Sequence, residues 1–250
     1  MLKVSIITAA FNSGKTIGET IQSVANQSYP QVEHIIIDGK STDKTIEIIE
    51  SLKHPKLIYR SEKDSGIYDA LNKGIRLATG DLIGVIGSDD YYPQQNVIER
   101  VVESFEKKDT DSLYGDMHYV NDKKEVVRFW KDGEYKESNF LKGWMPHHLT
   151  FYLKKEIYLK YGLYNTDFKL GGDYELLLRM LYKHKVSTQY LPEVLVTMRI
   201  GGASTKNIKN RIKANLEDRK AWVINGLRPR FYTLYFKPLL KIPQFFKKQG

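Results

Sequence analysis

Residues 80–92, with the sequence GDLIGVIGSDDYY, join a short apolar run to two adjacent carboxylates. The run at 82–86 is short for a helix and has glycines on either side, so it predicts a strand that is buried on both faces. Asp89 and Asp90 follow the carboxyl end of this strand, which is the edge of an open α/β sheet where ligands bind. The pair suits a metal-bound diphosphate, and it also suits an acidic turn before a helix that opens at Pro93.

Three similar units precede this strand. Buried strands are predicted at residues 4–8, 32–37 and 57–60, and a polar turn and apolar residues at helical spacing follow each of them. Four β-then-α units in succession predict a parallel, doubly wound sheet with right-handed crossovers. The first strand is not followed by GxGxxG or GxxxxGK[ST], which argues against a dinucleotide site or a P-loop.

The pattern changes beyond Phe105, where an antiparallel half is predicted. No internal repeat or low-complexity linker interrupts the chain, so we expect one α/β domain over residues 1–205 and a helical, basic and aromatic extension at 206–250. The predicted elements of the second half are strands at 112–119, 126–130 and 150–153 and a helix at about 173–182.

The composition is that of a folded globular protein. The chain has no cysteine, which excludes a disulfide framework and a thiolate metal site and fits a reducing compartment. Met1 leads through Lys3 directly into a strand, with no signal-peptide pattern and no apolar stretch of membrane-spanning length. We therefore expect a cytoplasmic protein.

The net charge of +9 is concentrated in the C-terminal tail. Eight cations follow the last acidic residue, Asp218, and without them the net charge is about +1. This distribution argues against a nucleic-acid-binding body. Residues 227–250 interleave cations with aromatic residues and contain prolines, so they suit the anionic inner face of a membrane rather than one spanning helix. Packing of the tail on the body, or on a second subunit of an oligomer, is the alternative.

Several segments together resemble the family 2 glycosyltransferases of the GT-A fold, particularly the bacterial polysaccharide and lipopolysaccharide branch. The resemblance covers roughly residues 1–200. It implies a Rossmann-like, mostly parallel nucleotide-sugar-binding half at 1–110 and an antiparallel acceptor-side half at 111–205. The matching segments are VSIITAAFN from residue 4, IIIDGKSTDKT from 35, SEKDSGIYDALNKGIRLATGD from 61, GSDD from 87, MPHHLTFY from 145 and GGDYELLLRM from 171.

The activity that this resemblance implies is inverting, metal-dependent transfer of a sugar from a nucleotide diphosphate sugar. Among such donors we favour a UDP-sugar. The acceptor would be a hydroxyl of a glycan or a lipid-linked glycan in cell-surface polysaccharide biosynthesis. The family's acidic signature is often written D-x-D. Here Ser88 stands at its first position, so binding of Mn²⁺ or Mg²⁺ falls on Asp90 with Asp89 beside it.

For the donor, the resemblance implies that Asp38 hydrogen-bonds the uracil ring while Thr8, Ala10, Phe11 and Asn12 frame the base. Without the resemblance, Asp38 begins an ordinary turn and Asn12 caps a helix.

Four further residues are candidates for donor contacts. Lys63 and Asp64 precede the third helix, and Asn72 and Lys73 lie on it. Lys73 can offset phosphate charge, although a lone helix lysine is commonly just solvated.

Asp173 is the candidate general base on the acceptor side, because a neutral sugar hydroxyl is a poor nucleophile. The resemblance favours Asp173 over Glu175, whereas the residues alone also fit a helix cap. His147 and His148 can line the acceptor site or complete the metal shell. In an extended segment their rings would point to opposite faces, and we favour His147 for the site.

Aromatic residues are further candidates for sugar contacts. Tyr68, Trp144 and Tyr174 can stack on a sugar ring, or they can pack in the core, and Trp144 and Tyr174 are assigned to the acceptor side.

Two other function classes fit parts of this pattern. A sugar-phosphate nucleotidyltransferase shares the sheet and the divalent metal, but it would carry a glycine-rich, basic triphosphate loop after the first strand, and AAFNSGK is a poor version of one. A non-catalytic binding module would use the acidic residues structurally and the basic tail for attachment.

Overall fold

One mixed sheet of eight strands lies at the centre of the described protein. The coordinates are a computed structural model that describes residues 1–200, 208–230 and 233, with the backbone alone at 208–212. The strand order is β3-β2-β1-β4-β7-β5-β6, and β8 pairs with β5. The strands are β1 (Val4–Ala10), β2 (Val32–Asp38), β3 (Leu57–Ser61), β4 (Leu82–Val85), β5 (Ser112–Val120), β6 (Val126–Trp130), β7 (Tyr152–Lys154) and β8 (Thr188–Arg199).

Helices flank this sheet and connect its first four strands. β1 pairs in parallel with both β2 and β4, and β2 pairs in parallel with β3. Every residue of β2 is buried, as expected for a parallel strand that is covered on both faces. The mostly parallel α/β half is thereby confirmed. The helices are α1 (Ile17–Ala25), α2 (Thr45–Ser51), α3 (Ile67–Leu77), α4 (Val97–Lys107), α5 (Ser138–Leu141), α6 (Lys155–Tyr161), α7 (Gly172–Leu177) and α8 (Ile208–Ile224).

The second half contains the predicted antiparallel strands. β7 pairs antiparallel with β4 and with β5, and β5 pairs antiparallel with β6. The parallel partner of β5, β8, was not predicted. Pro192 lies inside β8, and register shifts occur near Gly115 and Asp116 of β5, so neither strand has the uninterrupted pattern on which prediction depends.

Three predicted boundaries need correction. The helix expected to open at Pro93 begins at Val97, and the strand expected from residue 150 begins at Tyr152. A 3₁₀ turn, His148–Thr150, precedes that strand. The helix expected at about 173–182 begins as α7 and continues as a π-helical segment, Leu178–Lys183.

α8 is part of the main core. Ala221 and Trp222 are completely buried, and the Trp222 ring lies 5.1 Å from that of Tyr182. Beyond α8, most of the basic and aromatic tail falls outside the described residues. Among the residues that are described, no helix is both long enough and apolar enough to cross a membrane.

Two helical glycines predict opposite effects of the same substitution. A Cβ at Gly74 of α3 would overlap the buried Ile7 of β1, so Gly74→Ala should lower the free energy of unfolding by about 1–2 kcal/mol. At Gly18 of α1 the nearest atom, Cγ2 of Ile48, is 3.4 Å away, so Gly18→Ala should be neutral or stabilise by up to about 1 kcal/mol. Chemical denaturation measures the free energy of unfolding of both variants. Equal effects would contradict the difference in packing around the two glycines.

Candidate active site

Hydroxyl groups anchor the turn that follows β4. Thr20 of α1 donates to the backbone carbonyl of Asp90 at 2.7 Å, and Thr16 donates to that of Ser88 at 2.9 Å. The hydroxyls of Ser13 and Ser88 are 2.7 Å apart. The acidic turn is therefore fixed against the loop and helix that follow β1.

The carboxylates of Asp89 and Asp90 lie together over Gly87. A Cβ at Gly87 would overlap the carboxylate of Asp90 and would lie 3.1 Å from Oδ1 of Asp89. Asp90 is only 2% exposed, and its Oδ1 accepts a hydrogen bond from the backbone N–H of Arg199 at 3.2 Å. Burial, and then the charge of Asp89, raise the pKa of Asp90 well above its ordinary value. A cation would relieve both effects.

The donor chemistry of this pair fits a hard divalent cation. Carboxylate oxygens are the ligands that Mg²⁺ and Mn²⁺ prefer. Within the described part of the chain, no cluster of three or more His, Cys, Asp or Glu side chains could hold a metal. Two carboxylates, Asp89 and Asp90, would leave other coordination positions for phosphate oxygens and water.

A second polar group lies at the carboxyl ends of β1 and β2. Asp38, completely buried, accepts hydrogen bonds from the backbone N–H of Ser41 at 3.0 Å and from the hydroxyl of Ser61 at 2.7 Å. The Ser41 hydroxyl also donates to Asp38. Three donors therefore fix the carboxylate at this edge of the sheet.

Phe11, Asn12 and Asp64 lie beside the loop that follows Asp38. A Cβ at Gly39 would lie 2.6 Å from Oδ2 of Asp64 and 3.4 Å from the Phe11 ring, so these two side chains meet above Gly39. The Phe11 side chain is 63% exposed, which is unusual for a large aromatic residue. Asn12 has φ of +50° and accepts a hydrogen bond from the backbone N–H of Thr42 at 2.9 Å.

Three of the residues predicted to contact the sugar donor are buried inside the fold. Thr8 is completely buried, with its hydroxyl 3.0 Å from Nε2 of His34, and Ala10 is also buried. Asn72 is buried and makes hydrogen bonds of 2.8 and 2.9 Å with the backbone of Tyr164. The side chains of Thr8 and Asn72 thus make their hydrogen bonds within the fold, and their predicted donor contacts stay predictions.

Lys73 is engaged by neighbouring groups. Its Nζ donates to the carbonyl of Lys63 at 2.7 Å and lies 3.2 Å from Glu62 and 3.5 Å from Asp69. Lys63 has an exposed side chain. Of the four candidates on or before α3, Asp64 is the one that lies beside Gly39, next to Asp38 in the chain.

Asp173 lies in the first turn of α7, between His148 and Tyr68. Nδ1 of His148 is 3.2 Å from Oδ2 of Asp173, and the Tyr68 hydroxyl donates to Oδ1 at 3.3 Å. Both Asp173 and His148 remain partly exposed. A carboxylate that is held on both oxygens and is still reachable from solvent suits a proton acceptor.

Glu175 has a different environment. It is 2% exposed, and its Oε1 accepts hydrogen bonds from Nε of Arg179 at 2.8 Å and from Nδ2 of Asn225 at 3.1 Å. Glu175 therefore joins α7 to α8, and Asp173 is the carboxylate of this segment that reaches the surface.

The prediction for the histidine pair needs correction. The two rings stack at 4.9 Å with an interplanar angle of 24°, because the 3₁₀ turn replaces the extended conformation in which they would alternate. His147 is 6% exposed and packs 5.1 Å from Trp130, and its Nδ1 accepts from the backbone N–H of Leu149 at 3.4 Å. His148 is the histidine beside Asp173.

The two aromatic acceptor-side candidates pack inside the fold. Tyr174 is 1% exposed, and its hydroxyl accepts a hydrogen bond from Nε1 of Trp222 at 2.8 Å, so it cannot stack on a sugar. Trp144 is half-buried, with its ring 6.0 Å from that of Tyr114 and 6.3 Å from that of Tyr135.

Tyr119 of β5 lies beside the histidine segment. Burial raises the pKa of Tyr119, and the charge of Arg128 opposes this rise. The Tyr119 hydroxyl lies 3.5 Å from Nε2 of His147.

Comparison with known proteins identifies the family. The profile of Glycosyl transferase family 2 matches residues 5–170. The chain belongs to glycosyl transferase family 2. An uncharacterised glycosyltransferase of Mycobacterium tuberculosis is 32% identical over 182 residues, which are 70% of this chain and 68% of that protein. A PGL/p-HBAD biosynthesis glycosyltransferase of Mycobacterium bovis is 26% identical over 212 residues, covering 83% of this chain and 80% of the relative.

Solved glycosyltransferase structures share the fold. S. aureus TarS 1–349 in complex with UDP-GlcNAc matches with a TM-score of 0.67 at 17% identity, over 90% of this chain and 65% of that one. The mannosyltransferase PcManGT of Pyrobaculum calidifontis, in complex with GDP-Man and Mn²⁺, matches with a TM-score of 0.66 at 18% identity. The match covers 98% of this chain and 73% of that one. The chain spans 39% of the longer TarS structure. These matches confirm the GT-A architecture, and the family membership confirms a glycosyltransferase.

The buried carboxylate pair predicts a stabilising substitution. Asp90→Asn removes a buried charge that faces Asp89 and keeps an oxygen for the Arg199 N–H, so in EDTA it should raise the free energy of unfolding by about 1–2 kcal/mol. Asp89→Asn, at the more exposed position, is the matched control and should give a smaller gain. Chemical denaturation measures both, and a less stable Asp90→Asn protein would contradict the proposed repulsion.

Proposed function

We propose that this protein transfers a sugar from a nucleoside diphosphate sugar to an acceptor hydroxyl, with inversion at the anomeric carbon and with a bound divalent cation. The observation that carries the proposal is a pair of adjacent carboxylates, the buried Asp90 and the partly exposed Asp89, at the same sheet edge as Asp38 and Phe11. One structural neighbour is bound to UDP-GlcNAc and another to GDP-Man with Mn²⁺, which supports this donor class.

The donor nucleoside would bind at the ends of β1 and β2. The exposed Phe11 ring offers a face on which a base can stack. Asp38 is an acceptor-only group when ionised, so it suits the ring N–H of uracil, and Ser41 and Ser61 hold it in place. These features make a UDP-sugar our preferred donor.

Asp90 and Asp89 would hold Mn²⁺ or Mg²⁺ against the diphosphate. When bound, such a cation acts as a Lewis acid toward the leaving diphosphate. The role of the protein is to fix the turn that carries the two carboxylates: the hydroxyls of Thr16 and Thr20 bind its backbone carbonyls, and the backbone N–H of Arg199 binds the Asp90 carboxylate.

Asp173 would accept the proton of the acceptor hydroxyl. The oxygen then attacks the anomeric carbon on the face opposite the departing nucleoside diphosphate, and this displacement inverts the anomeric centre. Tyr68 and His148 hold the Asp173 carboxylate in one orientation, which reduces the reorganisation needed at the moment of reaction.

The acceptor we propose is a glycan or lipid-linked glycan in bacterial cell-surface polysaccharide or lipopolysaccharide synthesis, at the cytoplasmic face of the membrane. One relative is named as a PGL/p-HBAD biosynthesis glycosyltransferase, which supports a biosynthetic role. α8 exposes Leu216 and Val223, which are 65% and 66% exposed, and the sequence beyond it is basic and aromatic. An apolar and cationic C-terminal region suits an anionic lipid surface.

Replacing the proposed base tests the reaction chemistry. Asp173→Asn keeps the size of the side chain but removes its basicity, so kcat for sugar transfer should fall by about 10²–10⁴-fold while UDP binding is retained. Asp167→Asn, an exposed change in the preceding loop, is the control and should behave like the wild type. UDP release and glycosylated product are measured together. Unchanged transfer in Asp173→Asn would return Asp173 to a helix-cap role, and release of pyrophosphate would indicate a nucleotidyltransferase.

Vesicle flotation tests the membrane proposal. The full chain should float with phosphatidylserine vesicles at low salt, and each cation near the headgroups contributes about 1 kcal/mol. A chain ending at Gly226 should lose most of this binding, and neutral phosphatidylcholine vesicles serve as the control. Equal flotation of the shortened chain would exclude the tail as the anchor.

A further inference from the structure

The turn that precedes α7 is held by a side chain of α8. Oε2 of Glu217 accepts hydrogen bonds from three consecutive backbone N–H groups, those of Lys169 at 3.1 Å, Leu170 at 2.8 Å and Gly171 at 2.8 Å. These groups precede or begin the helix, so they have no partner within its backbone ladder. Glu217 thus supplies the acceptor for the segment that leads into Asp173.

The close approach of the two elements depends on Gly171. A Cβ at Gly171 would lie 3.0 Å from Cβ of Glu217, which is tighter than ordinary packing allows. A glycine at this position therefore lets the backbone of the turn reach the Glu217 carboxylate.

Other contacts make α8 a rigid support for this turn. Trp222 is fully buried and donates to the hydroxyl of Tyr174 at 2.8 Å, and Asn225 donates to Glu175 at 3.1 Å. Tyr174 and Glu175 immediately follow Asp173, and the turn bound by Glu217 ends two residues before it. α8 therefore holds the chain on both sides of the proposed base.

We infer that Glu217 is a positioning residue for Asp173, so that α8 completes the active site; this inference rests on the proposed function. Without the Glu217 carboxylate, three neighbouring N–H groups lose their acceptor, and the turn can leave the conformation that sets the start of α7. Small displacements of a catalytic group are costly, since the reacting atoms must meet in one geometry. The family match ends at residue 170, so Glu217 lies beyond it.

The donor end of the site should not depend on Glu217. Asp38 and Phe11 lie on β2 and after β1, and Asp90 is anchored by α1 and β8. Loss of Glu217 should therefore lower kcat and leave the KM for the nucleotide sugar unchanged. A general loss of folding would instead alter both, together with the melting temperature of the whole protein.

The experiment compares wild type, Glu217→Ala, Glu217→Gln and Arg219→Gln. Arg219 is an exposed neighbour on α8 and serves as the matched control. For each full-length protein we would measure kcat and donor KM from UDP release, the melting temperature, and amide hydrogen exchange in peptides that cover residues 169–173. Glu217→Gln keeps one acceptor oxygen without the charge, so it is the conservative variant.

We expect Glu217→Ala to lower kcat by about 10- to 100-fold with donor KM unchanged, and to accelerate amide exchange at residues 169–173. Glu217→Gln should fall between Glu217→Ala and the wild type, and Arg219→Gln should match the wild type. Wild-type kcat in Glu217→Ala, or wild-type exchange in this segment, would overturn the inference. An inactive wild type would refute the proposed function instead, and the exchange measurement would still show whether Glu217 orders the turn.

Discussion

The repulsion between two adjacent carboxylates, one of them buried, is the constraint on which the proposed metal site depends. Asp89 and Asp90 meet over Gly87, and the burial of Asp90 removes water that would otherwise screen the two charges from each other. The turn keeps this conformation because hydroxyls of α1 and a backbone N–H of β8 bind it from opposite sides. A bound cation would relieve this repulsion, which supports the proposed metal site at the turn.

The same sheet edge organises the proposed donor end, whereas the proposed acceptor end depends on long-range packing. Asp38 and Phe11 are adjacent because β1 and β2 are parallel neighbours. Asp173 reaches the site through a contact with His148, a hydrogen bond from Tyr68 of α3, and the packing of α7 on α8. Three regions that are distant in sequence therefore define the proposed base.

The sequence was sufficient for the parallel half and for the positions of its acidic residues. The apolar strands of that half are continuous, and their carboxyl ends are marked by residues such as Asp38 and Asp90. The sequence was insufficient where one residue type serves two purposes. Asn72 fits a donor contact as well as it fits the buried bonds that it makes to Tyr164. The choice between His147 and His148 depended on a 3₁₀ turn that no periodicity marks.

The most direct test of the central claim is calorimetric titration of the wild type and Asp90→Asn with UDP, in Mn²⁺ and in EDTA. If Asp89 and Asp90 hold the cation that binds the diphosphate, UDP should bind the wild type in Mn²⁺ and should bind far more weakly in EDTA. Asp90→Asn should bind weakly under both conditions. Tight binding of UDP in EDTA, or equal binding by Asp90→Asn in Mn²⁺, would contradict a metal-dependent donor site at this turn.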